Sequence, residues 1–187
     1  LTLVPYMKTS DELKTKPTQH SVQKLREIGI QPDILLCRTE RKLSKPIKEK
    51  IALFCNVEAN SVITAMDVSS IYEVPIGLEK EGLCKIILEK LGMKGKSPDL
   101  ERWQKINQIL KKPDGEVKIG IVGKYVDLKE SYKSLTESLI HGGIGNNVRV
   151  NIDWVDAEAL EKEEGSVLLK SCDGVLVPGG FGDRGIE

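Results

Sequence analysis

Three apolar runs decide the fold: VKIGIVG at residues 117–123, VRVNIDW at 148–154 and GVLV at 174–177. Val117 to Val122 is an apolar run bounded by Gly123, while Val148, Val150, Ile152 and Trp154 alternate with polar residues as a strand does. Between these two, Tyr132, Leu135, Leu139 and Ile140 form one helical face, closed by Gly142 and Gly143. Residues 157–171 then read as an acidic helix over Leu160, Val167 and Leu168. The order is β-α-β-α-β. Strands separated by helices must run parallel, joined by right-handed crossovers, and ligands collect where their carboxyl ends open.

The same alternation extends toward the N-terminus. Leu1 to Val4 is a short strand, the polar stretch from Lys8 to Lys16 a loop, and Pro17 a first-turn residue of a helix carrying Val22, Leu25 and Ile28 up to Gly29. Asp33 to Cys37 is the next strand. Ser44 as N-cap and Pro46 just inside open a second helix over Ile47, Ile51 and Leu53 or Phe54, followed by a strand at Ser61 to Ala65. Tyr72 to Pro75 is expected to be extended, and Leu83, Ile86, Ile87 and Leu91 mark a helix ended by Gly92. From Lys94 to Glu116 the text becomes G-K-S-P-D, a polar helix around Trp103 and Ile106, then K-K-P-D-G. The expectation is an α/β chain of two Rossmann-like parallel-sheet units, residues 1–93 and 117–187, joined by a linker over 94–116. Leu1 is no initiator Met and Glu187 follows a glycine-rich stretch, so both ends are expected to be cuts and both units incomplete.

Composition narrows the function classes. The 187 residues carry 28 Lys or Arg and 28 Asp or Glu, a formal net charge of zero, which argues against a nucleic-acid partner. No apolar run approaches the roughly 20 residues of a membrane span. Cys37, Cys55, Cys84 and Cys172 lie far apart, without a C-x-x-C pair or clustered histidines, so no metal site is expected in this chain and the cysteines read as reduced thiols of a cytoplasmic protein.

Three stretches could carry chemistry. Lys14-Thr15-Lys16-Pro17-Thr18-Gln19 places two ammonium groups, two hydroxyls and the opening N–H groups of a helix within six residues, a composition suited to phosphate or to a solvated basic cap. Gly123-Lys124-Tyr125 follows a strand and suggests an anion site or a plain tight turn, without the framework of a Walker loop. Pro178-Gly179-Gly180-Phe181-Gly182-Asp183-Arg184-Gly185 also follows a strand, and its backbone N–H groups could approach a developing oxyanion. His20 and His141 lie in separate units, and no cysteine sits in a nucleophile elbow.

Taken together, these stretches resemble the CTP synthase family, glutamine-dependent ligases that aminate UTP. LVPY at residues 3–6, KTKPTQHSV at 14–22, GIQPD at 29–33 with Cys37-Arg38, and KIALFC at 50–55 look like the late part of that family's synthetase domain. KIGIVGKYV at 118–126, Tyr132-Lys133-Ser134 and VPGGFGDRG at 177–185 look like the opening of its class I glutamine amidotransferase domain. The resemblance covers essentially the whole chain.

It implies that Lys14, Thr15, Lys16, Pro17, Thr18, Gln19 and Lys50 bind UTP, or CTP as feedback inhibitor, at a site shared between subunits of a homo-oligomer, a homotetramer for the complete protein. Met66, Asp67 and Val68 match a basic-Asp-Val segment near the adenine of ATP, with Met66 lacking the basic contact. Gly180 matches a glycine that holds glutamine, Gly179 is a candidate oxyanion donor, and Phe181 and Arg184 are neighbours. Lys124, Tyr125 and Lys133 fall in the region tied to GTP activation and domain coupling, although Glu130-Ser131 departs from the commoner acidic-Ala pair. The ATP phosphate loop and Mg²⁺ carboxylates are expected before Leu1, and the nucleophilic Cys with its His and Glu after Glu187, so this chain alone is expected to be inactive. A rival reading is a non-enzymatic, nucleotide-binding regulatory α/β protein using Lys14 to Gln19; continuation of the parent frame into G-x-C-x-G separates the two.

Overall fold

The computed structural model describes residues 1–123, 126, 129–160, 167 and 169–179. By its internal contacts the chain divides into two compact units, Leu1–Asn107 and Gln108–Glu187. Each is built around its own parallel sheet.

In the first unit, strands β1 (Thr2–Leu3), β4 (Leu35–Thr39) and β5 (Val62–Met66) pair in parallel in the order β1-β4-β5. The register is Thr2↔Cys37 on one side of β4 and Leu35↔Val62 through Thr39↔Met66 on the other. Helix α1 (Lys16–Glu27) connects the first pair and α2 (Lys45–Cys55) the second, as parallel neighbours require. Pro17 and Pro46 both sit in first turns, where the missing N–H costs nothing. Gly29, at φ +85, takes the left-handed turn after α1, and Asn56, at φ 53, does so after α2. The core beneath holds Val4, Val22, Leu35, Cys37, Ile51 and Val62. Each such aliphatic side chain contributes about 1.5–3 kcal/mol by leaving water.

The structure departs from the sequence reading in four places here. Residues 6–13, running into the expected 8–16 loop, form a small antiparallel hairpin, β2 (Tyr6–Met7) with β3 (Glu12–Leu13). Two-residue strands fall below any periodicity signal. Tyr72 to Pro75 is helical rather than extended: Ile71–Glu73 forms a 3₁₀ turn whose Tyr72 N–H donates to Ser70 Oγ, and α3 (Val74–Lys80) starts with Pro75 in its first turn. There the proline's helix-starting use outweighs its bias toward an extended predecessor. Leu53 and Phe54 are exposed, whereas Ala52 and Cys55 face the core with Ile51. The strand read as 33–37 begins at Leu35. Helices α4 (Leu83–Lys90) and α5 (Glu101–Lys111) follow, α4 opening at Gly82 with φ +81.

In the second unit β6 (Gly115–Gly123) lies between β7 (Val148–Asp156) and β8 (Gly174–Leu176), all parallel. Helix α6 (Lys133–Gly145) runs through Gly142 and Gly143 to Gly145 instead of stopping at the pair. A Cβ on Gly143 would lie 2.7 Å from the Val148 carbonyl oxygen and 2.8 Å from Val150 Cγ2, so this glycine permits close helix-on-strand packing inside the helix. Helix α7 (Ala157–Leu160) begins where the acidic helix over 157–171 is expected; residues 161–166 and 168 of that span lie outside the described residues.

All four cysteines are thiols; Cys37 and Cys55 are buried and Cys84 and Cys172 partly exposed. Burial pushes the Cys37 thiol up from 9.0 to about 12. Because the folded state favours the neutral thiol, its stabilisation is complete below about pH 9 and is lost as pH rises toward 12. Iodoacetamide at pH 8 is therefore expected to modify Cys84 and Cys172 and to spare Cys37 and Cys55 until urea is added. Urea midpoints are expected to fall steadily above pH 9. Prompt native alkylation of Cys37 would contradict its placement.

Candidate functional site

The carboxyl ends of sheet β1-β4-β5 gather the first set of expected site residues. The chain leaves β1 into the hairpin and re-enters helix at α1, so Lys14 to Gln19 lie at that edge. Lys14 Nζ is 2.8 Å from Glu12 Oε2. That bond, then the Lys14 charge, holds the Glu12 carboxyl below the usual range; Lys50, from α2, lowers it further. Lys50, 38 residues on in the chain, is thus within electrostatic reach of Glu12. Among the described residues neither Lys16 nor Lys50 has an ion-pair partner, and both are exposed.

The two threonine side chains are engaged within the fold. Thr18 is fully buried and donates to the Leu3 carbonyl at 2.9 Å, while Thr2 Oγ1 donates to Thr18 Oγ1 at 3.2 Å. Thr15, at the N-cap of α1, caps nothing with its side chain; its hydroxyl accepts from Gln19 Nε2 at 3.1 Å. The first-turn N–H groups of α1 that Pro17 does not remove are consequently uncapped by Thr15. The lysines and these amides can meet an anion, whereas Thr18 ties α1 to β1.

Met66 and Val68 are exposed at the end of β5, and Asp67 carries an ion pair, Arg38 Nε to Asp67 Oδ1 at 2.7 Å. Asp67 N–H donates to the Thr39 carbonyl, so the segment continues the β4–β5 ladder by one bond. Sequence reasoning quoted Arg38 without seeing this partner, 29 residues away. Glu81, also unforeseen, accepts from Lys48 Nζ and from the Thr64 N–H of β5. Burial raises its carboxyl, but those bonds outweigh burial and leave it below the ordinary value. Lys42, Lys45 and Lys48 border the adjoining cleft of about 410 Å³ with Asn60 and Glu81.

In the second unit the chain leaves β6 at Gly123 and β8 at Leu176, on neighbouring parallel strands. Gly179 is therefore placed at the same open edge as Gly123. A Cβ on Gly179 would meet nothing within 4 Å, so its lack of a side chain answers no packing need of the described protein. Gly123 differs: a Cβ there would stand 2.7 Å from the Tyr132 phenol oxygen, and Tyr132 leans on Trp154 with ring centroids 5.6 Å apart. Lys133 is exposed, its ammonium 4.0 Å from Glu130, a contact of little energetic weight. Lys124, Tyr125, Gly180, Phe181 and Arg184 lie outside the described residues. Among the described residues no three His, Cys, Asp or Glu side chains converge as metal ligands, and no helix is long and apolar enough to cross a membrane.

Two open parallel sheets, one with a cationic helix entry and one with a glycine-bearing strand exit, define an α/β chain. Residues 1–93 match the family profile "CTP synthase N-terminus" and residues 127–187 match "Glutamine amidotransferase class-I". The whole chain is 56% identical over 187 residues to the CTP synthase of Ruminiclostridium cellulolyticum, 60% over 188 to that of Geotalea uraniireducens and 55% over 193 to that of Methanocaldococcus jannaschii. It spans 35%, 35% and 36% of these relatives, about a third of their length. A solved structure, the Trypanosoma brucei CTPS glutaminase domain with bound acivicin, aligns with 37% of the chain at 41% identity and a TM-score of 0.33. The chain belongs to the CTP synthase family.

The assignment of Thr18 to the fold has its own consequence. Thr18→Val keeps the shape but removes the donor to Leu3 and the acceptor for Thr2, and is expected to destabilise the first unit by about 1–3 kcal/mol. Urea unfolding of the chain followed by circular dichroism measures it; an unchanged midpoint would return Thr18 to a purely ligand-binding role.

Proposed function

We propose that this chain is a middle portion of a CTP synthase, residues 1–93 closing the synthetase domain, 94–116 linking, and 117–187 opening the glutamine amidotransferase domain. The reaction is ATP-dependent amination of UTP with glutamine or ammonia, in pyrimidine nucleotide synthesis. The observation that carries this reading is the run from Lys14 to Lys16 at the entry to α1, on the carboxyl side of β1, in a chain aligned along its full length with CTP synthases.

The chemistry makes three demands. Phosphorylation of the uracil 4-oxygen by Mg·ATP needs cations to spread phosphoryl charge; Lys14, Lys16 and Lys50 are assigned to the UTP triphosphate, and Met66, Asp67 and Val68 to the ATP side. The described carboxylates at that edge, Asp11, Glu12 and Asp67, are each bonded to Arg or Lys. They do not fit a Mg²⁺ ligand set, and no step is routed through a metal here. Glutamine hydrolysis needs backbone donors for an oxyanion, assigned to Gly179 with Gly180, Phe181 and Arg184 around the glutamine. Ammonia must travel unprotonated between domains, with GTP, near Lys124, Tyr125 and Lys133, promoting the coupling. A homotetrameric, cytoplasmic enzyme is proposed with these substrates.

In the whole enzyme, Lys16→Ala is expected to weaken UTP and CTP binding together by roughly ten- to a hundredfold, leaving glutamine hydrolysis intact. Nucleotide titrations measure it, and unchanged affinities would remove the assignment.

Gly180→Ala tests the other half. Glutamine-dependent CTP formation is expected to fall about 10²–10³-fold while ammonia supplied from solution still supports synthesis. Equal loss with both nitrogen sources in a folded variant would overturn the reading of residues 177–185.

A further inference from the structure

The hairpin that delivers Lys14 has strands of two residues each, too short to hold their own position. Its tip is gripped from the β4–α2 loop. Arg41 Nη1 lies 3.1 Å from Asp11 Oδ1, the Arg41 guanidinium carbon sits 3.8 Å from the Tyr6 ring centroid, and Tyr6 Oη donates to the same Asp11 oxygen at 2.5 Å. Asp11 stands at φ 49, a left-handed turn that Asp tolerates. The other end of the grip is anchored to the sheet, since Arg41 N–H donates to Oγ1 of the buried Thr39. From Asp11 the chain runs through Glu12, bonded to Lys14, and the Lys14 N–H donates to the Pro5 carbonyl.

We propose that Tyr6, Asp11 and Arg41 are positioning residues that lock the hairpin against β4 and thereby place Lys14 to Gln19 for the nucleotide triphosphate. The inference rests on the nucleotide-binding role proposed above for that segment. Arg41 is engaged by a carboxylate and an aromatic face, so it acts on the triphosphate through the hairpin and not as a direct ligand. Sequence reading quoted Tyr6 within the family-like run and passed over Asp11 and Arg41, because 30 residues separate the ion pair.

The test uses the whole enzyme with ammonia as nitrogen source. Arg41→Ala is expected to raise the KM for UTP and the inhibition constant for CTP in parallel, by about fivefold, the scale of an exposed cation–π contact plus an ion pair. The kcat at saturating UTP and the glutamine hydrolysis rate are expected to stay unchanged. Asp11→Asn is the sharper variant, because Asn also accepts the left-handed turn. Removing a negative charge near a polyanion site should tighten binding by Coulomb's law alone, whereas loosening the grip weakens it. The double variant is expected to be no worse than Arg41→Ala, as two members of one device are not additive. Tighter UTP binding in Asp11→Asn, or an unchanged KM in Arg41→Ala while Lys16→Ala raises it, overturns the positioning role and leaves the nucleotide reading intact. An unchanged KM in Lys16→Ala as well overturns both. Loss of kcat and glutamine hydrolysis alongside KM marks general damage and also overturns it.

Discussion

The parallel pairing of β4 on both of its edges is the constraint on which the first unit depends. With β1 at Thr2↔Cys37 and β5 at Leu35↔Val62, every connection must return over a face of the sheet, and α1 and α2 do so. Their apolar sides, with Val22 and Ile51, pack in one core with Cys37 and Val62, from which water is excluded. The polar remainder is thereby driven to the carboxyl ends of the strands. Lys14 to Gln19, Arg38, Arg41 and Asp67 are neighbours for that reason and for no reason of sequence proximity.

Charge at this edge is arranged, not merely accumulated. A chain of zero net charge still presents Lys16 and Lys50 without ion-pair partners among the described residues, while Glu12 holds Lys14, Asp11 holds Arg41 and Asp67 holds Arg38. Each exposed pair contributes little to stability by itself. Their effect is directional, because they restrict where the cationic groups and the short hairpin can stand. Burial places the Thr18 hydroxyl correspondingly: beneath the surface, it links helix to strand, while Lys16 and Lys50 stay exposed.

In the second unit, close approach plays the organising part that charge plays in the first. Gly143 lets α6 settle onto the backbone of β7, and Gly123 leaves room for the Tyr132 phenol at the exit of β6. Further back, Lys118 is bonded to Asp153 of β7, which raises its ammonium above the ordinary range, and its N–H donates to the Asp173 carboxylate. These contacts tie β6 to β7 and to the approach to β8.

Alternating apolar runs, first-turn prolines and left-handed glycines made most helices and strands legible, because those signals are local. The amphipathic period placed α1, α2, α6, β6 and β7 within a few residues. It failed where elements were shorter than the period, as in the hairpin, or where proline has two local uses, as at Pro75. It also misplaced Leu53 and Phe54, since 3.6-residue spacing does not tell which face a helix turns inward once Ala52 and Cys55 compete for it. By itself, then, the sequence determined the parallel α/β class, the family and the candidate lysines and glycines, all carried by residues close together in the chain. Only tertiary structure decided that Thr18 ties α1 to β1, that Arg38 pairs with Asp67, and that Arg41 grips Asp11 and Tyr6. Those pairings span tens of residues, and they exist because parallel strands return the chain to the same edge.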